Sequence, residues 1–392
     1  MSQWDVIIIG AGAAGLMCAI EAGKRGRHVL VLDHSNKAGK KILMSGGGRC
    51  NFTNYDVSAT HYLSNNPHFA KSALSRFTQW DFLALVNKHN IAFHERDHGQ
   101  LFCDDSAKDI VNMLLKECAD ANVSIELNTQ INKVSKVNAD TSHFSVKTAN
   151  KDFQAVSLVI ATGGLSIPKM CATPLGYKIA AQFGLPVTPT HAGLVPFTWQ
   201  EQDKLRYDTL SGIAIPAAVT VNSTTFRENV LFTHRGLSGP AILQISSFWA
   251  TGQPVQIDWL PGQNVEHLIA ASTPQTKVKN ILSNCLPNRV IETLWSEFPV
   301  NQPAQHWRKA QITELANAIH QWSFQPNGTE GYRTAEVTVG GVDCNALSSK
   351  TMQARDVPGL FFIGELVDIT GWLGGYNFQW AWSSGWCAGQ VV

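Results

Sequence analysis

The sequence predicts an α/β fold in which the two ends of one chain form a single Rossmann-like nucleotide-binding domain. Near the start, the apolar run at residues 6–9 leads into a GxGxxG motif at residues 10–15. Near the far end, the apolar run at residues 360–363 leads into Gly364 and Glu365. A strand that ends in a glycine turn before a helix is typical of nucleotide sites in such folds. Both ends of the chain are therefore expected to bind the same ligand.

The first glycine turn predicts a site for the pyrophosphate of a dinucleotide. Gly10 would allow the tight turn, Gly12 would let backbone approach the phosphates, and Gly15 would let the helix pack against the strand. The free N–H groups and the positive dipole end of that helix would face the anion. Asp33 ends the next apolar run, where an acid can accept both ribose hydroxyls. The candidates here are Gly10, Gly12, Ala13, Ala14, Gly15, Asp33 and His34.

The ligand held by both ends of the domain is predicted to be FAD. A basic, glycine-rich segment follows Asp33, where an extended FAD molecule would next lie. Three consecutive glycines expose backbone amides, and two lysines and an arginine add positive charge near an anionic cofactor. A flexible basic loop without a ligand is the alternative interpretation. The candidates here are Lys40, Lys41, Ser45, Gly46, Gly47, Gly48, Arg49, Cys50 and Asn51.

The later segments predict the remaining contacts with FAD. Gly374, Gly375 and Tyr376 precede the last helix, whose positive end would stabilise a reduced, anionic flavin. Asp368 would reach a ribityl hydroxyl or a phosphate-bound water, although a loop acid is the alternative. Ile131 would offer its backbone to adenine. The candidates here are Ile131, Ala161, Thr162, Gly163, Gly364, Glu365, Asp368, Gly374, Gly375, Tyr376 and Asn377.

The sequence identifies catalytic side chains less specifically than cofactor-binding ones. A flavin performs hydride chemistry itself, and the protein supplies its orientation and electrostatic environment. His234 is the first candidate for a proton donor or base, since it lies in a glycine-rich turn. A purely structural histidine is the alternative. The eight cysteines form no CxxC pair, and no metal site is predicted.

The pattern along the chain predicts four parts. Residues 36–54 are predicted to be a loop, residues 66–120 carry helical spacing, and the composition changes near Pro186. Short β-like runs then give way to helical periodicity after residue 264. The predicted parts are residues 1–190 and 331–392 for the FAD-binding domain, 191–264 for an inserted β-barrel-like domain, and 265–330 for an inserted helical subdomain.

Charge and composition argue against large anionic partners. Lys and Arg total 31 against 30 for Asp and Glu, a net charge of +1. No basic tail is present, so no nucleic-acid partner is expected. No apolar run approaches the roughly 20 residues of a membrane span, so no membrane partner is expected either. Scattered cysteines and the absence of a basic leader favour a cytoplasmic protein.

Four longer motifs resemble one known family. The segment GKKILMSGGGRCNFTN at residues 39–54 is similar to the fingerprint of the BaiN/YhiN-type FAD-binding flavoproteins, and residues 232–241, 334–343 and 364–379 also resemble that family. The resemblance implies FAD as cofactor. It also implies a discontinuous, glutathione-reductase-type FAD domain interrupted by a small β-barrel and a helical subdomain. The family includes a reductase of steroid-like enones and an oxidase of a small aminoketone.

The predicted function is that of a FAD-dependent oxidoreductase that acts on a small, fairly apolar or carbonyl-bearing metabolite. No second GxGxxG motif with a ribose acid is present, so NAD(P)H would have to dock transiently as electron donor. One alternative is an oxidase of a small amine or aminoketone. Two others are a flavin-dependent RNA-modifying enzyme and a redox sensor.

Overall fold

The computed structural model describes residues 2–138 and 143–392, and the chain folds into two compact units. Unit 1 comprises Met1–His191 and Val337–Val392, and unit 2 comprises Ala192–Glu336. Both ends of the chain thus belong to one unit, and the predicted α/β class is confirmed. The finer division of the insert at residue 264 stays a prediction.

The first part of unit 1 alternates strands and helices. Its strands are β1 (Ser2–Ile9), β2 (Val29–Leu32), β3 (Asn51–Asn54), β4 (Tyr62–Leu63), β5 (Phe93–Arg96), β6 (Gln100–Cys103), β7 (Ser124–Glu126), β8 (Ile131–Asn138), β9 (His143–Thr148) and β10 (Asp152–Ile160). Its helices are α1 (Ala13–Lys24), α2 (Lys40–Met44), α3 (Ala70–Arg76), α4 (Gln79–Lys88), α5 (Ala107–Asp120) and α6 (Leu175–Gln182).

Unit 2 follows a short strand, β11 (His191–Gly193), at the junction. Its further strands are β12 (Phe197–Thr198), β13 (Ala214–Val221), β14 (Thr224–Phe232), β15 (Leu237–Ser238), β16 (Val255–Asp258), β17 (Trp322–Phe324) and β18 (Gly328–Thr329). Its helices are α7 (Glu201–Tyr207), α8 (Pro240–Ser246), α9 (Val265–Ala270), α10 (Val278–Leu282), α11 (Asn288–Leu294) and α12 (Lys309–His320). The strands form an antiparallel sheet in the order β15-β14-β13-β16-β17, and the buried Trp259 and Phe232 stack against each other in its core.

The chain then returns to unit 1 through β19 (Val337–Val339), β20 (Leu360–Phe362), β21 (Thr370–Gly371) and α13 (Tyr376–Gly389). The main sheet has the order β7-β2-β1-β10-β9-β8, and β20 also pairs with β10. β1, β2, β7, β10 and β20 run parallel, which explains why the central strands are apolar on both faces. In register, Ile9 lies opposite Ile160, and Ile160 lies opposite Phe362. The carboxyl ends of three neighbouring strands therefore meet at one edge.

Two smaller features position the site at that edge. The β4–β21 pair brings the first part of unit 1 against its last part, and the β3-β6-β5 sheet lies against the start of α13 through the close approach of Gly375 to the Thr53 carbonyl. α1 and α13 approach closely, because a Cβ at Gly385 would lie 2.4 Å from the carbonyl oxygen of Ala14. The start of α13 is thereby fixed relative to the first glycine turn.

The structure corrects several local expectations. The segment at residues 36–54 contains α2 and β3 instead of a continuous loop, and the helical stretch at residues 66–120 is interrupted by the β5–β6 hairpin. Among the β-like runs of the sequence, residues 194–199 form only the two-residue strand β12, and residues 334–339 form a strand only from Val337. In these cases the short strands are defined by pairing with another strand, which local periodicity does not record.

Candidate cofactor-binding site

The first glycine turn follows β1 and uses its three glycines differently. Gly10 has a φ of +117°, and a Cβ there would lie 2.3 Å from the carbonyl oxygen of Ala161. A Cβ at Gly15 would lie 2.0 Å from the carbonyl oxygen of Gly10. At Gly12 a Cβ would meet nothing within 4 Å. Packing therefore requires glycine at residues 10 and 15, whereas Gly12 borders open space.

The helix that starts at this turn is ready to receive an anion. Gly12 is the N-cap of α1, and no side chain caps the helix. The carboxylate of Asp33, 15% exposed, accepts one hydrogen bond from the Ala11 N–H at 2.7 Å and another from the Ser35 N–H at 2.7 Å. Each carboxylate oxygen can accept a further bond. The open space, the uncapped helix and the fixed acid fit the pyrophosphate and ribose of FAD.

A partly buried ion pair joins the two parts of unit 1 beside this turn. The Lys41 ammonium donates to Glu365 at 2.8 Å and to the Ser166 hydroxyl at 2.7 Å. Glu365 also accepts from the Thr338 N–H at 2.9 Å. Burial alone would raise the pKa of Glu365, but Lys41, the Thr338 N–H and Ser166 hold it below its ordinary value. The glutamate is therefore ionised, and it fixes the Lys41 side chain, which keeps one N–H for a further acceptor.

The second glycine turn precedes α13 and is enclosed by β3 and β6. Gly375 is the N-cap of α13, has a φ of +93°, and no side chain caps the helix. The Asn54 amide donates to the Gly374 carbonyl at 3.0 Å. Asn377 holds the turn from the other side, because its side chain accepts from the Gly371 N–H and donates to the Gly371 carbonyl, both at 2.8 Å. The positive end of α13 thus has a rigid position.

Amide and hydroxyl side chains surround this turn. The side-chain amides of Asn51 and Gln100 lie 2.8 Å apart, and Thr53 donates to the buried Gln379 at 2.7 Å. Sequence reasoning identified Asn51 but missed Gln100 and Gln379. Gln100 belongs to the unpredicted β5–β6 hairpin, and Gln379 gave no signal beyond its place in the last helix.

An aromatic cluster lies at the same turn, and it joins the predicted Tyr376 to His61, which was not among the sequence candidates. The ring of His61 is 4.9 Å from the Trp372 ring and 4.7 Å from the Tyr376 ring, and the Trp372 N–H donates to the His61 carbonyl at 2.9 Å. Burial lowers the pKa of His61, although Asp56 partly offsets the shift. His61 is therefore a mainly neutral imidazole at pH 7. The β4–β21 pairing is what brings it to Trp372.

Several predicted residues have other contacts in the structure. Cys50 is fully buried, and burial raises the pKa of its thiol, so it is a packed and neutral side chain. Asp368 is buried and accepts from the Asn65 N–H at 3.1 Å. Lys40 lies 3.2 Å from the Cys171 sulfur, and His34 lies 2.9 Å from the Cys171 carbonyl. Ile131 begins β8.

The remaining candidates lie in the loop after α2, at the end of β10 and in unit 2. The loop after α2 has positive φ values at Gly46, Gly47 and Gly48 and an exposed Arg49, and the Ser45 hydroxyl donates to the Ile42 carbonyl at 2.8 Å. Thr162 and Gly163 follow β10, next to the start of α6 and to Glu365 respectively. His234 is exposed between β14 and β15 of unit 2. Its catalytic role stays a prediction, as do the individual cofactor contacts.

Comparison with known proteins identifies the class to which this fold and site belong. The family described as "HI0933-like protein Rossmann domain" matches residues 4–391. The FrdA chain of Escherichia coli quinol fumarate reductase has the same fold, with a TM-score of 0.50 and 15% identity over 99% of this chain and 69% of that chain. The chain belongs to the HI0933-like family and is a FAD-dependent oxidoreductase, as the resemblance to the BaiN/YhiN-type flavoproteins implied.

Named relatives cover the chain from end to end. Two proteins named ribosomal RNA dihydrouridine synthase are 55% identical in Escherichia coli and 51% identical in Haemophilus influenzae. These alignments cover 100% and 98% of this chain and 98% and 97% of the relatives. A 3-dehydro-bile acid delta(4,6)-reductase from Clostridium scindens is 28% identical, over 98% of both chains.

These relatives overturn one expectation. The absence of a nucleic-acid partner was expected from the near-neutral charge, and that expectation is wrong, because relatives at 55% and 51% identity are named for a reaction on RNA. Net charge averages over the whole surface and does not reveal a local basic region. Within residues 2–138 and 143–392, no helix has the length and apolar character needed to cross a membrane.

Proposed function

We propose that this protein reduces uridine to dihydrouridine in ribosomal RNA, with FAD as its cofactor. The observation that carries the proposal is the 55% and 51% identity, along essentially the whole chain, to proteins named for that reaction. The leading sequence prediction had a small metabolite as the substrate, whereas the substrate proposed here is a base in RNA. The proposal therefore agrees with the alternative of a flavin-dependent RNA-modifying enzyme.

The reaction adds two electrons and two protons across the C5=C6 bond of uracil. When bound and reduced by NAD(P)H, FAD would supply a hydride for C6, and a protein group or water would supply the proton for C5. The balanced reaction is uridine plus NAD(P)H plus H⁺ to dihydrouridine plus NAD(P)⁺. The 28% identical relative is named for reduction of a C=C bond in a 3-dehydro compound, and uracil likewise carries a carbonyl conjugated with its C=C bond.

Residues of unit 1 could support each requirement. The uncapped start of α13 carries about half a positive charge and would stabilise negative charge that develops beside it. His61 and Trp372 would offer ring surface on which an unstacked base can lie, as single-stranded RNA commonly does on aromatic side chains. The amides of Asn51 and Gln100 would be close enough to the Gly374 turn to contact the base edge.

The test uses the purified holoenzyme, NADPH and ribosomal RNA from a bacterial strain that lacks its own rRNA dihydrouridine synthase. Nucleoside mass spectrometry is expected to show new dihydrouridine, and Trp372→Ala is expected to lower its rate of formation by about 10-fold or more through the loss of stacking. NADPH should bleach the flavin absorbance of both proteins equally. Absence of dihydrouridine with the wild-type holoenzyme would refute the proposal.

A further inference from the structure

Two stretches of unit 1 carry basic residues without any acid. Residues 57–80 contain Lys71, Arg76 and two histidines but no Asp or Glu. Residues 344–355 contain Lys350 and Arg355 and again no Asp or Glu. With 30 acids distributed over 392 residues, such stretches give a locally positive surface on a nearly neutral protein.

The fold brings these two stretches together. The Asn66 amide donates to the Asn345 side chain at 3.0 Å, and the Arg76 guanidinium donates to the Lys350 carbonyl. A shallow cavity of about 280 Å³ lies between them, and Asn66, His68, Asn345 and Arg355 form part of its wall. The two acid-free stretches therefore make one continuous surface.

We define the basic surface as His68, Lys71, Arg76, Lys350 and Arg355, all of which are exposed. Within the described part of the chain, none of the five forms an ion pair with a carboxylate. By contrast, Lys24 and Lys88 both pair with the buried Glu117. The basic surface thus keeps its positive charge for a partner, and the exposed acids that flank its two stretches are Asp56, Asp81 and Asp356.

An aromatic platform adjoins this surface. Trp80, at the start of α4, is 57% exposed and stacks on Tyr55 with ring centroids 5.6 Å apart. It follows Arg76 by one short turn of chain. Cations that meet backbone phosphates, next to aromatic rings that meet bases, are the usual components of a single-stranded nucleic-acid surface. An acidic protein partner would require the cations but not the exposed ring.

The basic surface is also connected to the aromatic cluster at the cofactor site. His61 lies beside Trp372 and only seven residues before His68, with β4 between them held against β21. An RNA strand bound along this segment could place one base at Trp372 and its neighbouring phosphates on the lysines. Because the geometry supplies charge, stacking and continuity together, we infer that the basic surface binds the phosphate backbone of the RNA substrate. This inference rests on the proposed function.

The test measures RNA affinity of the holoenzyme with a matched pair of variants. Lys71→Gln/Lys350→Gln removes two exposed cations whose ammonium groups form no hydrogen bond or ion pair within the described part of the chain. Lys108→Gln/Lys178→Gln removes two equally exposed lysines on α5 and α6 and keeps the same net charge. Fluorescence anisotropy with a labelled oligouridylate gives the dissociation constant over a series of KCl concentrations.

The wild type and the control variant are expected to bind alike. The Lys71/Lys350 variant should bind about 10-fold more weakly near 0.1 M salt, and its slope of log K against log salt should be shallower by about 1.4, since each lost phosphate contact contributes about 0.7. Its flavin spectrum and its reduction by NADPH should be unchanged.

Three outcomes would overturn the inference. The two variants could bind alike while the wild type still forms dihydrouridine in ribosomal RNA, and then only the surface assignment fails. A polyglutamate peptide could compete as well as RNA at equal charge, which would assign the surface to an acidic protein. A wild type that neither forms dihydrouridine nor binds RNA would remove the proposed function and the inference together.

Discussion

The turns before α1 and α13 both place a glycine at a helix N-cap, but their backbone conformations and surroundings differ, since Gly12 is extended with a φ of −87° and Gly375 is left-handed with a φ of +93°. No side chain caps either helix. At Gly12, a Cβ would meet nothing within 4 Å, whereas at Gly375 it would lie 2.4 Å from the Thr53 carbonyl oxygen. The first turn is open towards a ligand, and the second is supported from behind by β3.

This difference shows that one local pattern can meet two physical requirements. Gly12 leaves room for a molecule that the chain does not itself provide, which is consistent with a phosphate. Gly375 leaves room for the backbone of β3, so that the positive end of α13 is held in a fixed direction. Substitutions at the two turns should therefore separate ligand binding from folding.

The largest effect is expected at Gly15, where packing leaves no space. Gly15→Ala should gain about 1 kcal/mol of helix propensity, but its Cβ would lie 2.0 Å from the Gly10 carbonyl oxygen. Because both groups are backbone-fixed, we expect the free energy of unfolding to fall by about 4 kcal/mol or more. Urea unfolding followed by circular dichroism measures this. A loss below about 1 kcal/mol would show that the α1–β1 contact can relax.

Gly375→Ala should have the next largest effect. It combines an unfavourable positive φ, which costs about 1–2 kcal/mol, with the contact to the Thr53 carbonyl. Gly26→Ala is the matched control, because Gly26 has a φ of +77° and a Cβ there would meet nothing within 4 Å. The difference between the two variants in urea unfolding isolates the contact with β3. Equal losses would mean that β3 does not support the α13 turn.

A pH-dependent effect is expected at the other end of α1. Glu117 is buried, which alone would raise its pKa, but Lys88, His89 and Lys24 lower the pKa to about 2. A carboxylate with a depressed pKa stabilises the fold above its ordinary pKa, and that stability is lost as the pH falls from about 4.5 towards 2.

The loss should be about 3 kcal/mol at most. Glu117→Gln should already lack this stability at neutral pH. Between pH 6 and about 2, its free energy of unfolding should therefore fall less steeply than that of the wild type. FAD affinity at neutral pH should be unchanged, because Glu117 contacts the C-terminal end of α1 and not its glycine turn. If the free energy of unfolding of the variant fell with pH as steeply as that of the wild type, the stabilising role of the Glu117 carboxylate would be contradicted.

The smallest effect on stability is expected at Gly12. Gly12→Ala should change the free energy of unfolding of the apoprotein by no more than about 0.5 kcal/mol, since its Cβ enters open space. It should nevertheless weaken FAD binding by about 10-fold or more, because the methyl group occupies the approach to the phosphates. Fluorescence titration with FAD tests this. Unchanged affinity would place the pyrophosphate elsewhere.

Prediction from sequence succeeded where local chemistry is sufficient. β1, the glycine turn, α1 and Asp33 are contiguous, so periodicity and steric requirements identified them together. The same holds for β20 and α13. It failed for the β5–β6 hairpin, because its two strands are only four residues long and are defined by pairing with each other and with β3. Gln100 was missed for that reason, and His61 was missed because the two-residue strand β4 is defined only by its pairing with β21.

The sequence by itself determined the α/β class, FAD as the cofactor and the glycine turns at both ends, because each depends on neighbouring residues and on backbone geometry. Only the tertiary structure decided which side chains meet. The Lys41–Glu365 pair, the His61–Trp372 contact and the joining of the two acid-free stretches each link segments hundreds of residues apart. Such contacts are set by the packing of the sheet and of α1 against α13. Net charge likewise does not reveal where the fold places lysine and arginine side chains close together.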